Sequence, residues 1–240
     1  MSAAELQALV RSLRARAELL DESDWSPAAA STPAPESPGP AAASASLPER
    51  LASLAAVVQS CRLCPLGAQR LNPAFGVGSP AAKVMFIGEG PGFEEDRRGE
   101  PFVGKAGQLL DRMLAAIGLS RETVYIANVV KCHPMVDPSQ PEKRGNDRPP
   151  SPEEMAACRG FLEEQIRLIR PRFLVALGAT AAKCLLRTDV GIGRLRGRWV
   201  DLDGTPLLPM YHPAALLRDE SLKRDAWEDM KELRRSLEAR

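Results

Sequence analysis

Long apolar runs, aromatic rings and histidines are all scarce in this chain. No stretch approaches the ~20 consecutive apolar residues that span a bilayer, so a membrane-spanning helix is not expected. The first residues, MSAAELQALVRSLRARAELL, show no basic segment leading into an apolar block, the mark of a secretory signal. A cytoplasmic protein is expected. In that reducing compartment the five cysteines point to metal, catalysis or burial rather than to disulfides. Excess charge is nearly absent too: a net +1 over 240 residues does not by itself call for a polyanionic partner. The balance is uneven, however. Residues 1–47 carry a net −3 and the remainder +4, and RTDVGIGRLRGRW sets Arg187, Arg194, Arg196 and Arg198 against Asp189 alone. Such a cluster either meets phosphates or is a solvated face.

What is present is 44 % apolar residues, enough for a sizeable core. Residues 1–25 show helical apolar spacing (Leu6, Leu9, Val10, Leu13), and residues 26–47 are nearly all Pro, Ala, Ser and Gly, a linker composition. A folded domain is expected over 48–240. Within it, helical and strand patterns alternate. The helix PERLASLAAVVQS leads to CRLC; the strand KVMFIG is followed by a helix from about Lys105 to Ile117 and the strand TVYIANVV. Ser151, Pro152 and Glu154 form a capping box opening a helix to about Ile169. RFLVALG, the helix ATAAKCLLR, a hairpin about Asp203-Gly204 and a helix from about Ser221 to Leu237 complete the chain. Short apolar strands separated by helices predict a three-layer α/β sandwich: a central, mainly parallel sheet with helices on both faces. Ligands of such sheets sit beyond the C-terminal strand ends. GEGPG, NVVKC and MYHPAALLR all fall at those ends.

The first of these poses a conflict. Glycines directly after a strand suit a phosphate cradle, yet Glu89, Glu94, Glu95 and Asp96 surround them with negative charge. The cysteines add a second signal. Cys61 and Cys64 form C-x2-C, Cys132 ends the second strand segment, and Cys158 follows after 25 intervening residues. Two thiolates on one tight turn can reach a single centre; four thiolates serve zinc or an iron–sulfur cluster equally well. Cys184, on an apolar helical face, reads as a small core residue.

Taken in order, C-x2-C, GEGPG, EPFVGKAGQLLDRML, YIANVVKC, the later Cys158 and HPAALLR resemble the iron–sulfur (family 4) uracil-DNA glycosylases over about residues 48–240. The resemblance implies a uracil-DNA glycosylase-like fold that removes uracil from DNA and leaves an abasic site. It implies a structural [4Fe–4S] cluster on Cys61, Cys64, Cys132 and Cys158, uracil-containing DNA as partner, a monomer, and no small-molecule cofactor. Phe102 is similar to the family's base-stacking aromatic, Asn128 to its uracil-edge reader and His212 to the motif histidine that donates to uracil O2. Glu89 is expected to stabilise the cationic sugar or orient water. Gly88, Gly90 and Glu95 are expected around the base, with the choice between Glu89 and Glu95 left open. In HPAALLR, Leu216 is the expected wedge into the duplex and Arg218 a backbone contact. A different class, a uracil-DNA binder without turnover or with covalent capture, stands as the alternative. Two features depart from the family pattern. Ala214 stands where HPS is common, and HPMVDPSQPEKRGNDRPPS expands the Cys132–Cys158 spacing with a polar loop containing His133, Lys143, Arg144 and Arg148.

Overall fold

The computed structural model describes residues 45–239; the expected N-terminal helix and most of the linker lie outside the described residues. Ser46 opens the first helix, α1 (Leu47–Ser60), where Glu49 reaches back to the Ser46 N–H at 2.7 Å. A short α2 (Leu66–Gln69) follows the C-x2-C turn. Next come β1 (Val77–Gly78), β2 (Val84–Gly88), α3 (Phe93–Arg98), α4 (Lys105–Ala115) and β3 (Tyr125–Asn128). The second half holds α5 (Pro152–Ile169), β4 (Phe173–Leu177), α6 (Ala179–Leu186), α7 (Ile192–Leu195), β5 (Val200–Leu202), β6 (Thr205–Met210), α8 (Pro213–Arg218) and α9 (Leu222–Glu238).

The six strands form one sheet in the order β1-β3-β2-β4-β6-β5. Its four central strands are mutually parallel, and β1 and β5 are antiparallel edges. β2 and β4 are buried along their whole length, as VMFIG and FLVAL require of strands covered on both faces. Alternation then sorts their side chains into two cores. Met85, Ile87, Leu174 and Ala176 pack with Leu51, Phe161, Leu162 and Ala182 on one face. Val84, Phe86, Val175 and Leu177 pack with Leu110, Leu114, Met230 and Leu233 on the other. The three-layer sandwich expected from the alternating pattern is what forms. The hairpin also forms about Asp203-Gly204, where both residues take positive φ (51° and 87°), the I′ geometry that joins tightly paired strands.

Order reversal occurs at β2, which has β3 on one side and β4 on the other. The crevice beyond a reversal point is where such sheets bind ligands. Gly88 lies opposite Asn128 in the ladder, and Leu177 lies opposite Met210, so four loops open at one rim. Four helices were not anticipated: α2, α3, α7 and α8 are only four to six residues long, too short for a periodic signal. α8 makes PAALLR a short helix that begins directly after His212.

Candidate active site

A cleft of about 910 Å³ opens at that rim, lined among others by Glu89, Gly90, Glu95, Phe102, Asn128, His212 and Arg218. A larger groove, about 1260 Å³, runs between α5, α6 and the 187–194 segment, but it shares only Thr180 with the cleft. The chemistry-bearing side chains are in the smaller one.

Phe102 sits at φ 57°, a left-handed conformation that a bulky residue adopts at a cost of ~1–3 kcal/mol. Arg121 holds it there by donating to the carbonyls of Phe102 and Pro101, the latter at 3.1 Å. Gly107 permits the close approach, since a Cβ there would lie 1.7 Å from the Phe102 carbonyl oxygen. The Phe102 ring faces His212 with centroids 5.5 Å apart and planes inclined by 31°. Gly88 brings β2 up to the same place: a Cβ would stand 2.5 Å from Phe102 Cζ and 2.4 Å from Asn128 Oδ1. Gly90 likewise packs where a Cβ would meet Val130 Cγ2 at 2.8 Å.

Asn128 ends β3 with its side chain 1 % exposed, and its Oδ1 has no hydrogen-bond partner. A buried polar atom left unpaired costs ~1–3 kcal/mol, so a partner from outside the chain is the natural explanation. Across the cleft, His212 is the N-cap of α8, and its Nδ1 accepts from the Ala214 N–H at 3.1 Å. An accepting Nδ1 in a neutral ring leaves the proton on Nε2. Burial, reinforced by the Arg218 charge, pushes this imidazole down to about 4, so the ring is neutral at physiological pH. His212 is therefore a fixed-tautomer donor.

The four acids after GEGPG separate cleanly. Glu95 Oε1 accepts from Val103 N and Gly104 N, both at 2.9 Å, and Oε2 accepts from Gly92 N at 3.2 Å. It is a backbone staple at the third position of α3. Asp96 is buried and accepts from Leu71 N at 3.0 Å. Glu94 pairs with Arg144 at 2.6 Å. Three of the acids thus occupy the first turn of α3, where the helix dipole favours them. Glu89 alone precedes the helix, accepts from Thr180 Oγ1 and faces the cleft.

In α8, Leu216 is 2 % exposed and packed inward, whereas Leu217 is 43 % exposed beside Arg218. A residue that enters another molecule must be accessible, and of these two leucines Leu217 is the accessible one.

The other face of the sheet holds the cysteines. Cys61, Cys64, Cys132 and Cys158 line one small cavity together with Arg70 and Lys131. Gly67 lets the C-x2-C turn close, since a Cβ there would be 2.5 Å from the Cys61 carbonyl oxygen. Arg70 Nη1 donates to Cys132 Sγ at 2.8 Å, and Lys131 N donates to Cys158 Sγ at 3.3 Å. Burial raises both thiols, Cys132 to about 11, so ionising them as a set calls for a metal centre and nearby cations. Both cations are present, and Lys131 is fully buried, donating to the Asn128 carbonyl at 2.8 Å and Gln165 Oε1 at 2.6 Å. Among the described residues no three His, Cys, Asp or Glu side chains converge on the position of a single ion. Four thiols around one cavity, with two cations against them, are a donor set of the kind that zinc or an iron–sulfur cluster uses. Cys184 lies apart, packed against the core as expected.

Several cleft residues went unnoticed in the sequence. Gly178 repeats the signature of Gly88, a glycine between an apolar strand and a helix. Its φ is +92°, and a Cβ there would lie 2.9 Å from His212 Cβ, which shows why it must be glycine. Thr180 and Arg121 carried no local signal, because their partners lie 91 and 19 residues away.

This architecture defines the class. Residues 75–231 match the family model of the uracil DNA glycosylase superfamily, to which the chain belongs. Within it the similarity is to the type-4 group. The chain is 45 % identical to a type-4 uracil-DNA glycosylase of Thermotoga maritima over 72 % of this chain and 87 % of that protein. It is 38 % identical to one of Archaeoglobus fulgidus, over 77 % and 92 % respectively. A type-5 uracil-DNA glycosylase of Pyrobaculum aerophilum matches more weakly, at 31 % over 58 % of this chain and 64 % of that protein.

Proposed function

We propose that the protein is a monofunctional uracil-DNA glycosylase that hydrolyses the bond between uracil and deoxyribose, leaving an abasic site. The observation that carries this reading is the unpaired, buried Asn128 Oδ1 beside the ring of Phe102, whose backbone is strained. Together they offer a face and an edge to a flat base. Uracil inside a duplex is out of reach and is flipped into the cleft, at a cost of a few kcal/mol. The Asn128 carboxamide accepts from uracil N3–H and donates to O4; cytosine presents no N3–H and would leave Oδ1 unpaired. Gly88 and Gly90 let the backbone approach the base, and Glu95 acts through the loop it staples rather than on the substrate.

Breaking the C1′–N1 bond leaves the electron pair on uracil and positive charge on the sugar. The Nε2–H of neutral His212 donates to O2 as negative charge develops there. Glu89 faces the cationic sugar and takes a proton from the water that attacks C1′, which completes hydrolysis. Leu217, rather than Leu216, is the wedge that fills the space left by the flipped nucleotide, with Arg218 at the adjoining phosphate.

Cys61, Cys64, Cys132 and Cys158 hold a [4Fe–4S] cluster whose role is structural, tying α1 and α5 to the end of β3. The same reading makes the protein a cytoplasmic monomer acting on uracil-containing DNA. No helix among the described residues is long and apolar enough to cross a membrane. The division at 1–25, 26–47 and 48–240 is retained as the domain proposal, and α1 begins at Leu47. Covalent capture has no support in the geometry. The chain's other histidine, His133, is 1 % exposed and does not itself line the cleft; it is bonded at 2.7 Å to Asp147, which does.

The test is incubation with a uracil-containing duplex oligonucleotide followed by hot alkali. Strand cleavage at the uracil position only after alkali is expected. No alkali-labile product under enzyme excess would overturn the reading, and cleavage before alkali would replace hydrolysis with lyase chemistry at Lys105, which also lines the cleft.

A further inference from the structure

The polar segment between Cys132 and α5 is a closed excursion with an ordered base. Met135 bridges Asp147, Val136 N donates to Asn146 O at 2.8 Å, and Arg148 N donates to Pro134 O at 3.1 Å. Buried Asn146 then holds the excursion from inside, donating to the carbonyls of Asp137 at 2.7 Å and Gln140 at 3.1 Å. Residues 137–145 are thereby a preformed arm rather than a slack insertion.

The arm is clasped onto α3. Arg97 pairs with Glu142, Arg144 pairs with Glu94 at 2.6 Å, and the guanidinium carbons of Arg97 and Arg144 lie 4.1 Å and 4.7 Å from the Phe93 ring centroid. Phe93 is thus held between two arginines. This clasp holds the arm's C-terminal end at the substrate cleft, which Arg144 and Gly145 line. Arg144 nevertheless remains 75 % exposed, so its guanidinium is only partly engaged by Glu94. Arg98, Lys105 and Arg218 line the same cleft. Four cations around an opening whose interior is acidic suit an anionic chain that crosses the mouth while a neutral base enters it.

Resting on the glycosylase reading, we propose that the 137–145 arm is a DNA-strand contact and that Arg144 binds a backbone phosphate beside the flipped nucleotide, exchanging Glu94 for it. Exchange of one carboxylate for one phosphate lets the arm stay docked through Arg97 and Phe93 while the strand is engaged. A merely structural Arg144 would pin the arm and bind no phosphate.

The two roles separate through salt dependence. Affinity for a duplex carrying a tetrahydrofuran abasic analogue is measured from about 50 to 300 mM KCl, where each phosphate contact contributes a slope near 0.9. Arg144→Ala is expected to weaken binding about 3- to 10-fold at low salt and to make the slope shallower by about one contact. Arg144→Lys should preserve the slope. Glu94→Gln should tighten binding, because it removes the competing carboxylate. An unchanged slope in Arg144→Ala, or equal weakening by Arg144→Ala and Glu94→Gln, would overturn the proposal and leave Arg144 as a pin. Wild-type protein that fails to excise uracil in the alkali assay would instead refute the glycosylase reading, so the two failures are distinct.

Discussion

The base cleft and the cysteine cavity lie at opposite ends of one short link, and they treat polar groups in opposite ways. At the cleft, Asn128 Oδ1 is buried without a partner and His212 donates no intramolecular bond from Nε2 among the described residues. At the cavity, Cys132, Cys158 and Lys131 all have partners, and Lys131 donates to the Asn128 main-chain carbonyl. A site that waits for a substrate keeps hydrogen-bonding capacity in reserve at the expense of stability. A site that holds the fold together satisfies its own groups. The residue at the junction, Asn128, belongs to both: its backbone is fixed from the cysteine side and its side chain is left open on the other.

The sharpest way to break this comparison is Asn128→Leu. Excision should fall about 10²- to 10³-fold, the loss typical of a transition-state hydrogen-bonding group, while the melting temperature holds or rises because an unpaired buried oxygen is gone. A drop of several degrees with excision nearly retained would show that the amide is structural. The converse variant, Cys158→Ser, should act on stability first. Iron content should fall and the protein should lose about 3 kcal/mol or more, read as roughly 6–12 °C in melting temperature, with activity lost in step. Wild-type protein that is colourless and carries stoichiometric zinc would sink the cluster assignment.

The smallest effect divides two adjacent leucines. Leu217→Ala should lose about 3- to 10-fold in excision from duplex and little from single-stranded substrate, since only a duplex has a stack to fill. Leu216→Ala should cost about 2–5 kcal/mol of stability and affect both substrates alike. Equal losses on the two substrates for Leu217→Ala would remove the wedge from α8.

The order of motifs, the alternation of strands and helices, and the strand-end placement of GEGPG, NVVKC and HPAALLR were legible because each rests on local spacing. Hydrophobic period, glycine position and the Ser151 cap are properties of neighbours along the chain. The same holds for the acidic loop: the charges that excluded a phosphate cradle are largely first-turn acids of α3, a short helix that has no periodicity to reveal it.

Which of the cleft's acids is held by backbone N–H groups was decided elsewhere. Glu89 and Glu95 are six residues apart and equivalent on paper, but Glu95 is bound by N–H groups from 92, 103 and 104 while Glu89 meets Thr180 at the end of the neighbouring strand β4. Leu216 and Leu217 are likewise neighbours that helix geometry sends to opposite environments. Sequence by itself determined the alternating strands and helices through local hydrophobic period, whereas the cysteine set, Phe102, Asn128 and His212 were singled out by their resemblance to a family's motifs. Only the tertiary structure decided which of two like residues is accessible and which is bound up within the fold, because accessibility and hydrogen-bond partners are set by chain segments far away in sequence.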